Sequence, residues 1–153
     1  MDKKTKTCIG IILIGLANFF AYTMLYMFLG GEAVNGWVVV GADGQLVHYL
    51  TGGTDGTGGR AVSEAEFLLS GVHSISIWPT VGAILLAMLM LAKDHIVSSM
   101  RSSRVGGRTF VTVLATIIAF SIAVITVWFI LKFAHKLAYP IKPQDKPPPM
   151  RPL

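Results

Sequence analysis

Charge falls in blocks along this chain. Residues 7–31, 67–92 and 109–131 contain no Asp, Glu, Lys or Arg, and short charged segments separate them. A small soluble domain would need charge on nearly every surface element, whereas lipid removes that need because the outer faces of the helices meet hydrocarbon. About 20 helical residues cross a hydrocarbon core roughly 30 Å thick. The pattern therefore predicts three transmembrane helices, over 8–30, 74–92 and 109–131. They divide the chain into a basic N-terminus (1–7), an extracytoplasmic segment (31–72), a basic cytoplasmic connector (93–108) and a Pro-rich tail (132–153). Trp78 suits an interface. Pro79 is tolerated in a first helical turn, and would bend the helix if the helix began earlier.

Small residues recur four apart in each apolar block: Ala17 and Ala21, Ala83 and Ala87, and Ala115, Ala119 and Ala123. Residues at that interval share one helix face and let backbones approach closely, so these seven are expected to pack helices. Asn18 is the only amide in the first block.

The outer segment has its own pattern. Residues 37–40 (WVVV) and 46–50 (LVHYL) are β-branched and aromatic, and Asp43-Gly44 between them is a strong turn pair, so a β-hairpin is expected. A glycine-rich run over 51–59 reads as a flexible connector. It lacks the Gly-Lys-Ser/Thr ending of a phosphate loop. Ser63 with Glu66 three residues on makes a capping box, predicting a short helix over 64–69 that Gly71 ends. The fold class expected is thus an all-α integral membrane protein: three transmembrane helices with a small extracytoplasmic β-hairpin plus short helix.

Basic residues set the orientation. Lys3, Lys4 and Lys6 precede the first block, Arg60 is the only base between the first two, and Lys93, Arg101, Arg104 and Arg108 fill the second connector. The positive-inside rule then places the N-terminus in the cytoplasm. Five tail bases (Lys132, Lys136, Lys142, Lys146 and Arg151) weigh against that assignment, bringing the split to seven inside and six outside. The flanks of the first two blocks are preferred, because the rule acts through short local loops. The outer segment holds five acids against one base, a net of −4, and the tail five bases against Asp145, a net of +4. On one side of a membrane these would attract and draw the tail across the outer segment. A cleaved signal peptide is disfavoured by the long apolar run and the lack of an Ala-x-Ala site.

Composition agrees: 53% of residues are hydrophobic and 14% charged, with a net charge of +5. That excess is read as headgroup anchoring, not nucleic-acid binding. Arg101, Arg104 and Arg108 are the expected lipid headgroup contacts. The single cysteine, Cys8, cannot form an internal disulfide.

No charged residue lies at the centre of any block, and no HExxH, Gly-x-Ser-x-Gly or paired-Cys motif occurs. His48, His73, His95 and His135 have no ligand spacing, so no metal, cofactor or catalytic residue is assigned. The leading expectation is a noncatalytic accessory, assembly or structural subunit of a membrane complex. Its partners would be lipids and another membrane protein or a second copy, in a bacterial inner membrane. The alternatives are an oligomeric transport or channel component and a small membrane redox subunit. Transport would be favoured if Asn18, Thr112 and Thr116 lined a wet cavity.

Overall fold

The computed structural model describes residues 2–41, 43–52, 59–100 and 106–142. Its elements run α1 (Lys3–Leu29), β1 (Glu32–Val40), β2 (Leu46–Thr51), β3 (Arg60–Val62), α2 (Glu64–Ser99) and α3 (Gly107–Ala138). All three helices are long and apolar enough to cross a membrane. The strands form one antiparallel sheet in the order β1-β2-β3.

Several elements exceed the expectation. The hairpin is a three-stranded sheet, and β1 begins five residues before Trp37. The capped helix is not a separate short element. Gly71 does not end it, and α2 runs unbroken from Glu64 through Pro79 to Ser99. The capping box itself is present: Ser63 N–H donates to Glu66 Oε2 (2.9 Å), and Glu66 N–H donates to Ser63 Oγ (3.3 Å). The Ser63 N–H bond, with a second from the Ser63 hydroxyl to the same oxygen (2.8 Å), holds the Glu66 carboxyl below the usual carboxylate range.

Chain contacts divide the molecule into two units. Among the described residues, one comprises 2–20 with those of 77–126, the other those of 21–76 with 127–142. In the first, the helices meet where side chains are missing. A Cβ on Gly15 would lie 2.6 Å from Ile84 Cδ1, and one on Gly82 would lie 3.0 Å from Ile122 Cγ1. Asn18 Nδ2 donates to Thr80 Oγ1 at 2.9 Å. Large apolar side chains point outward: Ile14 is 73% and Phe120 70% exposed.

The second unit contains a closed core of Leu29, Ala33, Val38, Leu50, Phe67 and Phe133. Phe67 is fully buried between His48 (ring centroids 5.1 Å apart) and Phe133 (5.6 Å). Gly71 serves this core. Its missing side chain leaves room for the Phe133 ring, whose Cε1 would lie 2.7 Å from a Cβ placed there.

Candidate functional site

The most elaborate construction in the chain is the junction between β1 and the end of α3. β1 is irregular: Glu32 pairs with Thr51, yet Trp37 pairs with Tyr49, so residues 33–36 face only Leu50. Such a bulge takes carbonyls out of the sheet ladder, and each then needs another donor. Side chains supply them. Thr51 Oγ1 donates to Asn35 O (2.8 Å), and Lys136 Nζ donates to Val34 O and to Gly36 O (2.7 Å for the latter). Ser70 Oγ accepts from Ala33 N–H at 3.1 Å.

Lys136 pays in solvation for this position. Half-burial, followed by repulsion from Lys132 one turn earlier, lowers its pKa to about 8, while Glu32 pulls it back up. Lys132 donates to Asn35 Oδ1 (3.2 Å) and lies 5.8 Å from the centre of the Trp128 ring. Beyond α3 the chain pairs with the sheet: Val40 N–H donates to Ile141 O (2.9 Å), and Ile141 N–H donates to Val38 O (2.8 Å). Over the described residues the outer segment and the start of the tail are thus joined by Lys136 on backbone carbonyls, Lys132 on the Asn35 side chain and strand-like pairing, not by the expected pairs of acids and bases. Lys146 and Arg151 lie outside the described residues.

A second junction anchors β3. Gly30 stands at φ +71°, a left-handed conformation that closes α1, and its N–H donates to Tyr26 O at 2.9 Å. Arg60 Nη1 donates to Leu29 O (3.0 Å) and Phe28 O (3.3 Å), placing a cation at the negative end of α1. Tyr26 OH donates to Gly52 O (3.2 Å), and Tyr22 OH to Glu32 Oε2 (3.1 Å). The Tyr22 ring also stacks on His73 with 6.0 Å between centroids.

The alanines selected on spacing fall unevenly. Ala87 is buried and Ala115 half-buried, whereas Ala17, Ala21, Ala83, Ala119 and Ala123 are exposed. Among the expected headgroup contacts, Arg108 is exposed at the start of α3, and Arg101 and Arg104 lie outside the described residues. Thr112 and Thr116 return their hydroxyls to carbonyls of their own helix, Arg108 O and Thr112 O, both at 3.0 Å.

Sequence reasoning placed Lys132 and Lys136 among tail bases drawn to the outer segment by charge, but missed that they bond to Asn35 and to β1 carbonyls, and it missed Arg60 as a tie to α1. Among the described residues no three His, Cys, Asp or Glu side chains converge. Comparison of the chain with protein-family models, with curated proteins and with solved structures finds no match.

Proposed function

We propose that this chain is an integral membrane protein that serves as a noncatalytic accessory, assembly or structural subunit of a membrane complex. In this reading residues 8–30, 74–92 and 109–131 cross a bacterial inner membrane with the N-terminus cytoplasmic. The sheet and its junctions then form a small folded face on the outer side.

The observation that carries the proposal is the exposure of the small-residue faces. Ala17 and Ala21 on α1, and Ala123 on α3, remain uncovered. The chain's own close helix approaches use Gly15 and Gly82 instead. A small-residue face that its own bundle leaves open is suited to a helix from another chain. Transport draws less support, because the Asn18 amide is tied to Thr80.

The test is purification of the tagged full chain in mild detergent with native partners, followed by mass spectrometry. A stoichiometric membrane protein that is lost in an Ala17→Leu/Ala21→Leu or Ala123→Leu variant is expected. A chain that purifies alone as a monomer from its native membrane would overturn the subunit reading.

A further inference from the structure

Where α2 ends and α3 begins, a groove of about 520 Å³ runs between the two helices. That volume lies within the range of small-molecule sites, roughly 300–1,000 Å³. Its lining is divided along its length. Lys93 and Arg108 stand at one end, both exposed, and neither is paired with a carboxylate among the described residues. Beyond them the walls are Leu86, Met90, Val111, Ala115 and Ala119.

Thr112 and Thr116 also line the groove, but their hydroxyls are committed to carbonyls of α3. Their hydroxyl protons are therefore spent within the helix, leaving only acceptor lone pairs toward the groove. The depth comes from Ala115 and Ala119, where longer side chains would fill the space.

Helix geometry gives the groove a length. From Lys93 back to Leu86, and from Arg108 on to Ala119, the helices advance about 10 and 16 Å at 1.5 Å per residue. That is roughly a third to a half of a 30 Å hydrocarbon core, within the depth reached by acyl chains of one leaflet. Two cations at headgroup level above an apolar trough of that length match one class of ligand.

We propose that this groove is a specific site for one anionic phospholipid. Its phosphate sits between Lys93 and Arg108, and one acyl chain lies along Met90, Val111, Ala115 and Ala119. This rests on the reading of the chain as a membrane protein. It assigns Ala115 and Ala119 to lipid and leaves Ala17, Ala21, Ala83 and Ala123 as open small-residue positions.

The test uses the delipidated full chain in detergent, titrated with phosphatidylglycerol, phosphatidylcholine or inorganic phosphate and read by native mass spectrometry. One phosphatidylglycerol per chain is expected, held more tightly than phosphatidylcholine. Millimolar inorganic phosphate should not displace it, which identifies the lipid and not a free anion as the ligand. Lys93→Gln with Arg108→Gln should weaken retention about thirtyfold, about fivefold per cation. Ala119→Leu, at an exposed position, should fill the trough and lower retention of both lipids. Lys3→Gln with Lys4→Gln removes equal charge elsewhere and should change nothing.

Equal retention of the two lipids, displacement by phosphate, or indifference to the Lys93/Arg108 pair would overturn the site. So would a second protein chain cross-linking into the groove. Alkaline carbonate extraction of the native membrane separates this failure from the broader one. A chain that stays in the pellet but shows no lipid preference loses only this site, whereas a chain that is released loses the membrane reading with it.

Discussion

The two units of this chain bury their apolar side chains to different extents. In residues 21–76 with 127–142, Phe67, Leu50, Phe133 and Val38 close a core beside a three-stranded sheet, while Phe28 and Leu131 of the same unit stay exposed. In residues 2–20 with 77–126, large side chains such as Ile14 and Phe120 are exposed, and helices touch at Gly15 and Gly82. A core excludes water, so the first arrangement is what an aqueous face requires. The second leaves apolar surface open and is what a hydrocarbon solvent permits, since lipid is as apolar as leucine. The sheet-bearing unit thus holds most of the buried apolar residues, and the other leaves most of its apolar surface open.

The sharpest way to break this contrast is to empty the core. Phe67→Ala is expected to cost about 3–5 kcal/mol and to open the sheet to proteolysis, while the apolar helices stay protected. Equal loss of protection in residues 77–126 would show that the units are not separable in stability. Next in size is Lys136→Met, which leaves the Val34 and Gly36 carbonyls without their donor. About 1–3 kcal/mol should be lost, read as faster amide exchange confined to β1 and its partner β2. Ser63→Ala should cost about 1 kcal/mol by uncapping α2, with fraying over Glu64–Leu68 in exchange experiments. An effect spreading beyond Pro79 would contradict a local cap.

The smallest effect is a pH dependence. Lys136 has a folded pKa of about 8, depressed from its ordinary 10.5. Between those values the unfolded chain binds more protons, so this group's contribution makes the fold more stable as pH rises through that window. An NMR titration of the Lys136 side chain should find the midpoint near 8. It should move upward in Lys132→Gln, which removes a neighbouring positive charge. A midpoint that ignores Lys132 would separate the two lysines and loosen the picture of the junction.

How far the sequence reaches follows from the range of each interaction. The three apolar blocks, the Asp43-Gly44 turn and the Ser63–Glu66 box are local, and each is found where its residues stand. β3 is only three residues long, too short to show a period, and β1 extends back through Gly36, a poor strand former. The continuity of α2 was also hidden. Gly71 resembles a helix terminator until Phe133, far away in sequence, is seen to occupy the space beside it. Lys136 meets β1 across about 100 residues, and Arg60 meets α1 across about 30. Nothing adjacent to either residue encodes those partners. The small-residue stripes carried a similar ambiguity, because spacing marks a face without saying which chain covers it.

The anchoring of Gly52 and Arg60 has a practical consequence. Both ends of the glycine-rich connector are fastened to the last turns of α1, one by Tyr26 and the other by Arg60. Lengthening a loop whose ends are already fixed costs little, about 0.6 kcal/mol per doubling. A short epitope or fluorophore tag grafted between those two residues should leave the sheet intact. Tested on sealed vesicles of known sidedness, such a graft would serve as a reporter of which compartment this face meets.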